Sequence, residues 1–127
     1  MEKTNYPAGD FLVRIKNAAL ARRRNVTIGK TKLIKAIAEV LKKEGFVQEV
    51  KTDGKNLVVQ ITYRKKEPVL MKVELISKPG LRIYMSADEL ASFKGPEIFI
   101  VSTSKGIVSS KEAIKKRMGG EVIARIL

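Results

Sequence analysis

Two amphipathic helical patterns mark the first 45 residues of this chain and short alternating strands most of the rest, and that order limits the folds open to it. Across residues 7–23 the apolar positions are Phe11, Leu12, Ile15, Ala18 and Ala19, which mark one face of an amphipathic helix. Pro7 is tolerated in its first turn, and Asp10 lies near the positive end of its dipole. The spacing carries this helix to Arg23, with Arg22, Arg23 and Arg24 near its C-terminal end. Val26-Thr27-Ile28 predicts a short strand. Thr31 is placed to cap a second helix that turns Ile34, Ile37, Ala38 and Leu41 inward, and Gly45 is placed to end it. Alternation then sets in. Residues 46–50 and 57–63 read as strands joined by a turn around Asp53-Gly54.

Residues 64–68 are charged and end in proline, and they read as a linker. Beyond them short apolar runs predominate. Residues 69–76 predict a strand, and Pro79-Gly80 fits the centre of a type II turn, with Arg82-Ile83-Tyr84 opening the next strand. Ser86/Glu89 and Ser109/Glu112 have the spacing of capping boxes that open short helices. The second of these helices is expected to reach Met118 and to stop at Gly119-Gly120. Val122, Ala124 and Ile126 alternate in a closing strand. The expected fold is α+β. An N-terminal α/β domain (1–66: helix, strand, helix, strand, strand) packs on a mostly β C-terminal domain with short helices (67–127).

Between the strands at 98–101 and 107–108 lie Ser102, Thr103, Ser104, Lys105 and Gly106. Three adjacent hydroxyls, a lysine and a glycine offer short donors and acceptors with no bulky side chain in the way. That suits exposed base edges and riboses. The same residues also make an ordinary hairpin turn. Charge narrows the reading. Lys and Arg number 26 against 13 Asp and Glu, for a net charge of +13. Such a balance costs stability by self-repulsion and commonly serves nucleic acid, with an anionic membrane as the rival. Residues 1–66 hold 16 basic and 6 acidic side chains, and residues 67–127 hold 10 and 7. Phosphate attraction is therefore expected mainly from the first half, and specific reading from the second.

The chain has no Cys and no His. Disulfides, thiolate metal sites and the usual neutral-pH acid–base residue are thus excluded, and no cofactor or metal is expected. No apolar run approaches membrane-spanning length and no signal peptide is expected, which points to the cytoplasm. Gly29-Lys30-Thr31 resembles the end of a phosphate-binding loop, but position 24, where that loop needs glycine, is Arg24. Ser102 and Lys105 have the spacing of some serine acyltransferases, which place the pair on a helix rather than a loop. Asn25-Val26-Thr27 is a glycosylation sequon without meaning in a cytosolic chain. Tyr84, beside Arg82, either stacks on a base or packs on the sheet.

Three motifs in order carry a resemblance. Residues 76–84 read Ile-Ser-Lys-Pro-Gly-Leu-Arg-Ile-Tyr, residues 100–107 read Ile-Val-Ser-Thr-Ser-Lys-Gly-Ile, and residues 119–123 read Gly-Gly-Glu-Val-Ile. Together with Leu12, Arg14-Ile15-Lys16-Asn17 and residues 36–46, they resemble the bacterial form of the eighth protein family of the small ribosomal subunit. The chain departs from the family's pattern at Tyr6, Ala8, Gly95-Pro96-Glu97 and residues 124–127.

The resemblance implies a non-enzymatic protein that binds an irregular helix in the central domain of the small-subunit rRNA and supports assembly. It implies contact through the Ser-Thr-Ser loop, and other small-subunit ribosomal proteins as neighbours. In some family members it also implies repression of the protein's own messenger RNA. The expected RNA-binding set is Ser102, Thr103, Ser104, Lys105, Gly106, Tyr84 and Arg82, with Lys78, Gly120 and Glu121 from the neighbouring motifs. Arg14, Lys16, Asn17, Lys30 and Lys32 complete it in the first half. A free monomer with no membrane partner is expected.

Overall fold

A computed structural model describes residues 6–127. Helix α1 (Pro7–Leu20) buries Phe11, Leu12, Ile15, Ala18 and Ala19, as their spacing predicts. It stops three residues short of Arg23. Arg22 turns left-handed at φ 58°, and the N–H groups of Arg22 and Arg23 donate to the carbonyls of Ala19 and Ala18. This is a Schellman closure with arginine where glycine is usual. The three arginines therefore follow the helix rather than decorate its last turn.

Strand β1 (Asn25–Gly29) leads to α2 (Lys32–Lys43), capped by the Thr31 hydroxyl, which accepts from the Ile34 N–H at 3.1 Å. The Gly29-Lys30-Thr31 run is thus a strand end and a cap. Gly45, at φ 86°, closes α2 with the same Schellman pattern. Strands β2 (Val47–Asp53) and β3 (Asn56–Ile61) meet through a two-residue turn at Gly54-Lys55, so they are shifted from the predicted 46–50 and 57–63. The sheet order is β1-β3-β2, all antiparallel.

The expected linker is a tight hairpin. Strand β4 (Tyr63–Arg64) pairs with β5 (Glu67–Pro68), and Lys65 and Lys66 between them both have positive φ. A two-residue turn of this hand requires φ > 0 at both centres. For residues with a Cβ this costs about 1 kcal/mol each. Side chains hold it in place: the Tyr63 hydroxyl donates to the Arg23 carbonyl, and the Arg22 guanidinium donates to the Lys66 carbonyl and pairs with Glu67 at 3.0 Å.

Of the strand expected at 69–76, only β6 (Val73–Leu75) forms, and β7 is Tyr84–Met85. Helix α3 (Ala87–Ala91) carries the full Ser86/Glu89 capping box. Strand β8 (Ile98–Thr103) pairs with β9 (Gly106–Ser109), and α4 (Ser110–Lys115) follows. Only half of the second capping box exists. Ser109 accepts from the Glu112 N–H, but the Glu112 carboxylate turns to Lys116 at 3.2 Å and Lys43 at 3.5 Å. The hydrogen bond from Lys116 and the positive field of Lys116 and Lys43 hold the Glu112 carboxyl below the usual carboxylate range. Helix α4 ends before Met118, closed by a left-handed Arg117 rather than by Gly119-Gly120. Strand β10 (Gly120–Ile126) completes the order β6-β10-β8-β9, with β7 also on β10.

This second sheet is covered on both sides. Ile98 and Ile100 enter the larger core with α1, α2 and the first sheet, while Phe99 and Val101 enter a smaller core with Leu90, Ala113 and Val122. A bulge between Val122 and Ala124 breaks the predicted alternation of β10. Val122 faces the smaller core, while Ala124 and Ile126 face the larger one. One core therefore runs through residues of both halves, and Lys43–Glu112 and Lys111–Glu44 bridge them at the surface.

Ser77 is fully buried beneath the Pro79-Gly80 turn, where Gly80 takes the φ of 84° that a type II turn requires. The Ser77 hydroxyl accepts from the Ile83 N–H at 2.9 Å and donates to the Ile83 carbonyl at 3.3 Å. Ser77→Ala leaves the Ile83 N–H without its partner, while the Ile83 carbonyl keeps the bond it accepts from the Val122 N–H, and the change is expected to lose roughly 1 to 2 kcal/mol of stability. An unchanged urea midpoint would refute this.

Candidate nucleic-acid interface

Strands β8 and β9 pair as far as Thr103 and Gly106, so the five-residue loop contracts to a two-residue turn, Ser104-Lys105. Gly106 sits at φ 117°, a conformation that L side chains rarely adopt. The Thr103 hydroxyl donates to the Gly106 carbonyl at 2.8 Å and accepts from the Lys105 N–H at 3.1 Å. Thr103 is therefore committed to shaping the turn. The hydroxyls of Ser102 and Ser104 make no hydrogen bond among the described residues, and Ser104 and Lys105 are exposed. Ser102 and Lys105 lie on a strand and a turn, not one helical turn apart, so the acyltransferase reading fails.

Strand β10 begins beside this turn. Glu121 is in register with Ser102 on one side and with Tyr84 on the other. Directly paired residues share a sheet face, so Ser102, Glu121 and Tyr84 form a row across three strands. Tyr84 is 67% exposed, which resolves its two readings in favour of an outward ring. Arg82 reaches the same row through an ion pair with Glu121 at 3.1 Å, and its guanidinium lies 5.5 Å from the Tyr6 ring centroid. Burial, and then the Glu121 carboxylate, push the Tyr6 phenol above its ordinary value against the pull of Arg82. Gly120 lets β10 approach β8 closely: a Cβ there would lie 2.9 Å from the Ser102 carbonyl carbon and nearer still to its oxygen.

The other expected residues lie apart from this row. Lys78 is exposed at the Lys78–Leu81 turn. Arg14 pairs with Asp10 at 3.3 Å and, with Asn17, Arg23 and Thr27, lines a groove of about 460 Å³ between α1 and β1. Lys16 is half-buried on α1, and exposed Lys30 and Lys32 flank the α2 cap. Sequence reasoning missed two contributors. The Tyr6 ring beneath Arg82 and the Arg22 hook on the 63–68 hairpin join residues far apart in the chain, and no local pattern signals either. Among the described residues no group of three or more Asp and Glu is placed to hold a metal ion, and no helix is long and apolar enough to cross a membrane.

A family model described as Ribosomal protein S8 matches residues 7–127. The chain belongs to the ribosomal protein S8 family. It is 48% identical to the small ribosomal subunit protein uS8 of Caldanaerobacter subterraneus subsp. tengcongensis, and 47% identical to that of Lactobacillus delbrueckii subsp. bulgaricus. Each match covers 94% of this chain and 96% of the relative. The uS8 protein of Thermosynechococcus vestitus is 42% identical over 96% of this chain and 97% of its own. S8-family proteins are structural ribosomal proteins and not enzymes. The geometry gives each motif of this S8-family chain a physical task. Ser77, Pro79 and Gly80 build a pinned turn that presents Arg82 and Tyr84. Thr103 and Gly106 fold the turn that presents Ser104, and Gly120 admits Glu121 beside both.

Proposed function

We propose that this S8-family protein is a structural constituent of the small ribosomal subunit. In this reading it binds an irregular helix in the central domain of the small-subunit rRNA and supports assembly, in the cytoplasmic ribosome and beside other small-subunit proteins. One observation carries the reading: the Ser102 hydroxyl, uncommitted among the described residues, shares a row with the outward Tyr84 ring and the paired Glu121–Arg82, and the exposed Ser104 follows in the adjoining turn. Charge nearly cancels there, so the row offers hydrogen bonds and a stacking face rather than bulk attraction. Serine hydroxyls both donate and accept, and a carboxylate accepts from a ribose 2′-hydroxyl.

We assign the phosphate contacts to residues 1–66 and the specific reading to residues 67–127, the division expected from the charges. We also propose that the free protein is a monomer, which sedimentation at several protein concentrations tests. Titration with a transcribed central-domain fragment at several salt concentrations tests the reading. With about four to six phosphates neutralised, log K is expected to fall with log salt at a slope of roughly −3 to −5. A flat response, or equal affinity for an unrelated duplex, defeats it.

A further inference from the structure

Among the described residues, four other than glycine have a left-handed backbone, and all four are cationic: Arg22, Lys65, Lys66 and Arg117. Only 26 of the 127 residues are Lys or Arg. Left-handed positions ordinarily take glycine or asparagine, because a Cβ crowds the following carbonyl. Such strain persists where the surrounding structure enforces it, and it clusters at binding sites. At Arg22 and Arg117 a cation gains from the C-terminal end of the helix dipole, but no helix end lies at Lys65 and Lys66, so the reason there lies in the side chains.

Two of the four meet. Arg22 and Lys66 line an open groove of about 400 Å³ together with Arg24, Tyr63, Gln48 and Gln60. Arg22 is partly spent on Glu67 and on the Lys66 carbonyl. Among the described residues Arg24 and Lys66 have no ion-pair partner, and the two glutamine amides make no side-chain hydrogen bond. Tyr63 is held by its bond to the Arg23 carbonyl, so its ring is fixed at the groove wall. Unpaired cations suit phosphates, and amides with both donor and acceptor suit base edges. An acidic peptide would need the cations alone.

We propose that this groove is a second RNA-binding site, holding a phosphodiester backbone at Arg24 and Lys66 and an adjacent base edge at Gln48 and Gln60. The inference rests on the reading of the chain as an rRNA-binding protein. It adds a contact between the end of α1 and the 63–68 hairpin, on the opposite half of the chain from the Ser104 turn.

The test compares a double variant, Arg24→Gln with Lys66→Gly, against Lys65→Gly. Lys65 shares the left-handed backbone and the charge but does not line the groove. Probes are the central-domain rRNA fragment and polyglutamate. The double variant is expected to bind the rRNA about tenfold to a hundredfold more weakly at about 0.15 M salt, with a slope shallower by about 2. Its melting temperature should hold or rise, because glycine relieves the strain at position 66. Lys65→Gly should lose less than about threefold, as one exposed charge outside the groove contributes only weak, screened attraction and no direct contact. A double variant indistinguishable from Lys65→Gly overturns the groove site alone. So does one that keeps rRNA affinity but loses polyglutamate, which would make the occupant an acidic protein segment. Wild-type protein with no affinity for the fragment overturns the rRNA reading as well.

Discussion

Gly120→Ala is expected to lower the melting temperature by roughly 10 °C, from a loss of about 3 kcal/mol, and to weaken binding of the rRNA fragment as well. The φ of Gly120 lies outside the left-handed range, so the backbone itself would accept alanine. Space is the obstacle. The new Cβ would lie 2.9 Å from the Ser102 carbonyl carbon and 3.2 Å from the Thr103 Cα. Both are backbone atoms of β8, and no flexible side chain can yield. Strand β10 would have to move off β8 where Glu121 pairs with Ser102, just before the turn that carries Ser104. Overpacking against backbone therefore costs at the upper end of its range and shifts the proposed reading row together with the strand. Gly29→Ala is the control: nothing lies within 4 Å of its added Cβ, and its melting curve should match or exceed wild type. A Gly120→Ala protein that melts with wild type would show that the two strands are looser than this geometry requires.

Ser104 and Thr103 should separate binding from stability. The Ser104 hydroxyl is exposed and makes no bond among the described residues, so Ser104→Ala is expected to leave the melting temperature unchanged. It should cost roughly 1 to 3 kcal/mol of affinity for the rRNA fragment, because an RNA group buried against it would lose its partner. The salt slope should not change, since no phosphate contact is lost. Thr103→Val removes the bonds to the Gly106 carbonyl and from the Lys105 N–H. Both groups are water-accessible at the turn, so stability should fall by only about 1 kcal/mol, with affinity falling because the turn loses its shape. Calorimetric titration beside melting curves distinguishes the two variants. Equal affinity of wild type and Ser104→Ala would remove Ser104 from the reading row.

The local elements were largely legible in the residues. The apolar spacing of Phe11, Leu12 and Ile15, the Thr31 cap, the Gly45 closure, the Ser86/Glu89 box and the Pro79-Gly80 turn each depend on interactions within a few residues, and each formed where the sequence placed it. The misplaced ends of α1 and α4 and the linker reading at 64–68 share one cause. Arg22, Lys65, Lys66 and Arg117 take backbone conformations that their residue types disfavour, so propensity carried α1 and α4 too far and read the 63–68 hairpin as a linker. Propensity measures the isolated chain, and at the hairpin the Arg22 guanidinium and the Tyr63 hydroxyl outweigh it. The β10 bulge escaped for a related reason, since a two-residue period cannot announce an extra residue.

The same division holds for the proposed site. The residue types alone identified the Ser-Thr-Ser segment, Arg82 and Tyr84 as candidates, because hydroxyls, a guanidinium and an aromatic ring declare their chemistry without a fold, while Glu121 entered through the family resemblance of its Gly-Gly-Glu motif. The sequence likewise determined the α+β class and the excess of positive charge in the first half. Only the tertiary structure decided which hydroxyls stay available, since Thr103 is occupied by a carbonyl three residues on. It alone set Ser102, Glu121 and Tyr84 in one row and brought Arg22 and Lys66 to one groove. Those pairings join residues 18 to 44 positions apart, and contacts at such separations are fixed by how strands align and cores pack, which no local periodicity encodes.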